Sequence, residues 1–182
     1  NDYVYEFPDE TFVLKLSGVS SGATLGNALL TCTIVDDGDV DLHFTASEIT
    51  QEEAYVNVTV TVTRLGSTAQ PVFFMVAAML EGNQNPATLG ADYTLPPYFL
   101  EDVSVVTPEE DLLATMTIPA GSSSATFYVT VLQDDIYEPD EDTSFELSEV
   151  RLGSSSATVR SGYVGSPSTV RLVIQDDGDA GT

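Results

Sequence analysis

Carboxylates are concentrated at a few places in this sequence, and each place borders a run that reads as a β-strand. Glu48, Glu52 and Glu53 precede the run Val56–Val62, and Asp92 sits in Gly90-Ala-Asp-Tyr93. Asp134, Asp135, Glu138, Asp140 and Glu141 follow the run Phe127–Leu132, and Asp176, Asp177 and Asp179 follow the last strand-like run. Strands that run the same way end at the same pole of a sandwich, so carboxylates distant in sequence can meet there. The chemistry that suits such a meeting is binding of a hard divalent cation. Calcium takes roughly six to eight oxygens from carboxylates, carbonyls and water. Without a cation, close carboxylates repel one another, and some must protonate or move apart. The plainer reading is a set of solvated acidic turns, because Asp-Asp-Gly-Asp is a good turn sequence in its own right.

The charge balance narrows the partners. The 182 residues carry 29 Asp and Glu against 5 Lys and Arg, a formal net charge of −24. Such a chain repels nucleic-acid phosphates and anionic membrane surfaces. No nucleic-acid partner and no direct membrane insertion are therefore expected; basic partners or metal ions are. General solubility, or life in a salty medium, is the competing account of the charge. Hydrophobic residues make up 42% of the chain, which is too many for a disordered acidic tail. The length suffices for one full domain with a core plus part of another.

The elements that must position the carboxylates are strands. Val56-Asn-Val58-Thr-Val60-Thr-Val62-Thr alternates β-branched apolar and polar residues, the mark of a half-buried strand. Phe127, Val129 and Val131 repeat the pattern, as do Val170, Leu172 and Ile174, and Phe12, Leu14 and Leu16. Turn clusters separate these runs at Gly66-Ser-Thr, Glu81–Pro86, Pro119–Ser124 and Gly153–Ser156. No segment has a clear helical period; Glu109–Met116 fits either a short helical turn or a loop leading into a strand. Many strands with Gly, Ser and Pro turns predict an all-β, antiparallel sandwich.

The chain also repeats itself. Pro8-Asp-Glu-Thr-Phe-Val-Leu14-Lys-Leu16-Ser matches Pro139-Asp-Glu-Asp-Thr-Ser-Phe145-Glu-Leu147-Ser, 131 positions on. Ile34-Val-Asp-Asp-Gly-Asp39 matches Ile174-Gln-Asp-Asp-Gly-Asp179, 140 positions on. The extra residues of the second copy fall in the loop 153–167. Residues 1–39 are thus expected to be the C-terminal two strands of a preceding repeat, and residues 40–179 one complete repeat. An isolated strand pair is marginal in water, so upstream sequence or another chain is expected to supply its missing partners.

Other signals are thinner. Cys32 is the single cysteine, inward-facing in Leu-Thr-Cys-Thr-Ile, and reads as a small core residue; it allows no internal disulfide. His43 is also single, and no motif joins the two into a nucleophile–base pair. Paired carboxylates also suit an inverting glycosidase, but Trp is absent and no aromatic stripe suggests a sugar cleft. No phosphate loop or catalytic metal motif is present, so no enzyme is expected. Asn57-Val-Thr59 is an N-glycosylation sequon on the outward side of its strand. The insert Tyr93–Leu100 reads either as a loop folded onto the sandwich or as a contact patch for a neighbouring subunit.

In order along the chain stand Gly90-Ala-Asp-Tyr93, Ile118-Pro-Ala-Gly121, Ala125–Val131, Asp134-Asp-Ile-Tyr-Glu-Pro-Asp-Glu141, Phe145-Glu-Leu147 and Leu172-Val-Ile-Gln-Asp-Asp177. This ordered set resembles the Calx-beta domain family over residues 40–179, with residues 1–39 resembling a C-terminal half. The resemblance implies an immunoglobulin-like sandwich of about seven strands per complete repeat. It also implies calcium at the pole where the final strand ends, held by Glu48, Asp92, Asp134, Asp135, Glu138, Asp176 and Asp177, with Ile136 offering its carbonyl. A second half-site would use Asp2, Glu6, Asp36 and Asp37, with Tyr3 in the place of an acid. Gln133 and Gly178 stand where the family usually has carboxylates, so fewer or weaker ions are expected than in a fully equipped member.

Two roles follow as expectations. One is a structural or adhesive repeat of a large extracellular or cell-surface protein, with calcium stiffening the joint between neighbouring repeats, or with other copies in a filament or matrix. The minimal spacing between Asp39 and Val40 suits a stiff joint. The alternative is a cytoplasmic calcium-sensing domain of a membrane transporter, such as a sodium–calcium exchanger relative.

Overall fold

The computed structural model describes residues 9–34, 39–79, 85–99, 112–153 and 162–178. Strands β1 (Glu10–Lys15) and β2 (Leu29–Ile34) pair antiparallel in a two-stranded sheet of their own. The other described strands are β3 (Val40–Phe44), β4 (Glu48–Glu52), β5 (Val56–Gly66), β6 (Val72–Met79) and β7 (Tyr93–Thr94). They continue with β8 (Leu112–Ile118), β9 (Ser124–Val131), β10 (Glu141–Leu152), β11 (Gly162–Val164) and β12 (Thr169–Gln175). One sheet has the order β4-β12-β10-β6-β8 and the other β11-β3-β5-β9-β7. The chain is an all-β sandwich of the immunoglobulin-like kind. Most neighbours are antiparallel, but β4 runs parallel to β12 and β11 runs parallel to β3. The described part of Glu109–Met116 belongs to strand β8, where Leu112 and Ala114 face inward and are buried.

The alternation seen in the sequence becomes the core. Across the ladder Val58 and Val60 of β5 face Val129 and Phe127 of β9, Val62 faces Ala125, and Val131 faces Val56. Val58, Val60, Val62, Phe127, Val129 and Val131 are buried together with Phe74 and Val76 of β6 and Val170, Leu172 and Ile174 of β12. Each such side chain contributes about 1.5–3 kcal/mol by leaving water. Phe99 lies on a single 3₁₀ turn (Pro97–Phe99) and inserts its ring between β9 and β10. Its ring centroid lies 5.5 Å from that of Phe127 and 6.4 Å from that of Phe145. Tyr93 is fully buried, so the described part of the aromatic insert is folded onto the sandwich, and Tyr98 is its exposed member.

Arg64 continues the inward face of β5 beyond Val62 and is buried. It is tolerated because its guanidinium donates to the carbonyls of Gln70 at 2.8 Å and Ser122 at 2.7 Å, closing two turns at that end of the sandwich. Burial lowers its pKa from the ordinary guanidinium value.

Candidate metal centre

Strand register brings the acidic segments to one pole. Glu52, the last residue of β4, is level with Gln175, the last of β12, because those strands are parallel. Val131, at the end of β9, is level with both Val56 and Tyr93. Glu141, the first residue of β10, pairs with Ile174. The residues just beyond these ends are Glu53, Asp92, the segment 132–140, and Asp176.

Three carboxylates meet there. One oxygen from each of Asp92, Glu138 and Glu141 lies within 4.8 Å of the others. Glu53, Asp176, Pro139 and Ile174 line the same small cavity. Backbone amides hold the cluster in place. Asp176 accepts from the Glu138 and Gly178 amides, each at 2.8 Å, through its two oxygens. Glu53 accepts from the Asp134 amide at 3.1 Å, and Asp134 accepts from the Ile136 amide at 2.7 Å. Asp92 accepts from the amide of Thr88, and its own carbonyl accepts from the Leu132 amide at 2.8 Å. Gln133 donates its side-chain amide to Asp177 at 3.1 Å and to the Asp134 carbonyl at 2.9 Å. At this position a carboxylate would add repulsion; the amide instead ties two acidic segments together.

Proton affinity reports the crowding. The Glu141 carboxyl is pushed up to about 8 by burial first, then by its hydrogen bond to Asp92 and by the charges of Asp92, Glu138 and Glu53. Burial, and then Asp92, Asp134 and Asp176, raise Glu138. Glu53 is raised by burial and by Asp134, Asp177 and Asp176, against the opposing effect of the Asp134 amide. The described arginines are engaged elsewhere: Arg64 on carbonyls, Arg151 on Glu149, and Arg171 on Asp142 and Glu48.

These residues fit a hard cation. All donors are oxygens, as calcium and magnesium prefer and as zinc does not require. Two oxygens on opposite sides of a calcium ion, each at about 2.4 Å, are roughly 4.8 Å apart. The separation of the three carboxylates is compatible with shared coordination.

The residues expected at the site are placed as follows. Asp92 and Glu138 are in the close cluster, Asp176 lines its cavity, and Asp134 and Asp177 join it through hydrogen bonds. Asp135 and Ile136 are solvent-exposed. Glu48 is at the opposite end of β4 from Glu52, about 14 Å away along an extended strand, and pairs with Arg171 at 3.1 Å. Glu53 and Glu141 are the acids that the register brings in instead. Asp2, Glu6, Asp36 and Asp37 lie outside the described residues. Asn57 is exposed and accepts a 2.7 Å hydrogen bond from Thr130.

Arg171 has its own structural role. Its Nε donates at 2.9 Å to Asp142, whose side chain is 3% exposed. The other Asp142 oxygen accepts from the Asn85 amide at 3.2 Å, so the residue fastens the segment before β7 to β10 and β12. Arg171→Met is expected to cost about 2 kcal/mol, because it strands a buried carboxylate while the arginine itself is partly solvated. Urea titration checks this, and adding Asp142→Asn to Arg171→Met should recover part of the loss.

No protein-family model matches the sequence, and no curated protein sequence does. Solved structures share the fold. The apo form of the Calx CBD1 domain matches with a TM-score of 0.53 and 19% identity, over 76% of this chain and 97% of that one. The Calx CBD2 domain matches with a TM-score of 0.56 and 14% identity, over 76% of this chain and 88% of that one. The calcium binding domain CBD12 of CALX1.1 matches with a TM-score of 0.52 and 18% identity, over 75% of this chain and 44% of that one. At these identities the likeness establishes a Calx-type sandwich fold.

Proposed function

We propose that the chain is a calcium-binding β-sandwich module whose ion is held by Asp92, Glu138 and Glu141. Glu53, Asp134 and Asp176 stand next to these ligands. The observation that carries the reading is the meeting of three carboxylate oxygens within 4.8 Å, in a cluster where Glu141 holds its proton up to about pH 8. A divalent cation would replace that proton, neutralise the excess charge and brace the segment 132–140 against β4 and β12. The calcium binding domain of CALX1.1, which shares the fold, supports the choice of ion.

The role that follows is structural: a repeat of an extracellular or cell-surface protein, where calcium stiffens the pole that faces a neighbouring repeat. A second reading is a calcium-sensing domain attached to a transporter, and the calcium binding domain of CALX1.1, which shares the fold, fits it equally. Calorimetric titration tests both. Binding should weaken at least tenfold in Glu141→Gln and remain unchanged in Glu48→Gln. No heat of binding at millimolar calcium would sink the proposal. By analogy with other calcium proteins, a dissociation constant of about 10⁻⁴–10⁻³ M supports the extracellular role and one of about 10⁻⁷–10⁻⁵ M the sensor.

A further inference from the structure

The β1–β2 pair repeats the pairing of β10 and β12 residue for residue. Glu10 faces Ile34, Phe12 faces Cys32 and Leu14 faces Leu30. Glu141 faces Ile174, Thr143 faces Leu172 and Phe145 faces Val170. Moving β1 by 131 positions and β2 by 140 positions, the two shifts of the sequence repeat, converts each of the first pairs into one of the second. The sequence repeat is thus also a repeat of strand register.

The two pairs differ in what covers them. In β10 and β12, Phe145, Leu147, Val170, Leu172 and Ile174 are at most 5% exposed, being packed under the facing sheet. Their counterparts Leu14, Leu16, Leu30 and Ile34 are 53%, 64%, 59% and 50% exposed. Both outer edges differ as well. β12 is flanked by β4 in parallel and β10 by β6 in antiparallel, whereas among the described residues β1 and β2 pair only with each other. A row of unpaired backbone groups beside an apolar face is a template for further strands.

We infer that the apolar face of β1–β2 is one wall of a second sandwich, and that its occupant is another β3-to-β9-like segment carried by the same protein ahead of β1. The register defines the fit. A β4-like strand adds parallel to β2, a β6-like strand adds antiparallel to β1, and a β3-β5-β9-like sheet covers Leu14, Leu16, Leu30 and Ile34. Cys32 holds the position of fully buried Leu172 and serves as a reporter of coverage.

The test compares the 182-residue chain with an extended chain in which residues 40–138 are repeated immediately before Pro8, the junction the repeat dictates. Labelling of the Cys32 thiol should slow at least about a hundredfold in the extended chain, as for a site opened only by sub-global unfolding. Leu14→Asp in the extended chain should restore fast labelling while the transition of residues 40–182 is kept. A folded, monomeric extended chain that labels at the original rate overturns the inference. So does a 182-residue chain that is already protected and sediments as a dimer, since the occupant is then a second copy. If the extended chain does not fold, hydrogen exchange on the 182-residue chain decides. Exchange of β1–β2 amides within about tenfold of unstructured-peptide rates supports an uncompleted wall; protection equal to that of β10–β12 overturns it.

Discussion

Calcium at about a thousand times its dissociation constant is expected to add about 4 kcal/mol to stability, raising the melting temperature by roughly 8–16 °C for a unit of this size. The gain follows from binding to the folded state alone. Glu53 and Asp176 are 123 positions apart, and unfolding disperses the donors. The increment should also depend on pH. In the ion-free protein the Glu141 carboxyl is raised from 4.5 to about 8, so the folded state holds a proton that the unfolded state has released. That contribution is fully present below pH 4.5 and is lost as pH rises to 8. Glu53 and Glu138 are shifted in the same direction. The group is only partly shielded from water, so its share is about 1–2 kcal/mol rather than the full conversion of the shift. Ion-free protein should therefore lose stability from pH 5 to 8, while the calcium increment grows over the same range because protons compete for the site. Calorimetry at three pH values, with calcium and with chelator, measures both slopes. A calcium increment that does not change with pH would remove Glu141 from the ligand set. Titration in buffers of different ionisation enthalpy should show release of close to one proton per ion near pH 7.

Phe127→Ala is expected to cost about 3–5 kcal/mol, among the largest penalties for a single core truncation. Its ring is fully buried, with centroids 5.2 Å from Phe145 and 5.5 Å from Phe99. It therefore links β9, β10 and the 3₁₀ turn across both sheets. The cavity lies in the sandwich interior, and β9 continues for four more residues before the acidic segment begins. Calcium affinity should change much less than stability. Urea unfolding paired with calcium titration separates the two effects. A loss below about 1 kcal/mol would mean that the neighbouring rings collapse into the space.

The strands were legible because burial on one face leaves a period of two in the side chains. Val58, Val60 and Val62 declared β5, and Phe127, Val129 and Val131 declared β9. The choice among carboxylates was less legible, since it depends on which end of each strand reaches the acidic pole. Glu48 opens β4 and Glu53 directly follows its end. Only the parallel pairing of β4 with β12, which no local pattern encodes, puts Glu53 beside Asp176 and leaves Glu48 level with Arg171. Glu141 had a different signal. It opens β10 in an acidic run, and its inclusion required the ladder that brings Ile174 opposite it. Arg64 interrupts an apolar alternation, and the carbonyls that satisfy it come from turns up to 58 positions away.

The pairing of β4 with β12 also sets an order of events during synthesis. β12 lies between β4 and β10 in the sheet, yet it is the last described strand to leave the ribosome. Until it does, β4 lacks its described sheet neighbour, β10 lacks one of its two, and the cavity is without Ile174 and Asp176. A nascent chain ending near residue 168 therefore carries an open seam through the middle of one sheet. On the proposed calcium reading, the ion would act only on the finished unit, as a clasp fastened after the last strand has slid into its slot.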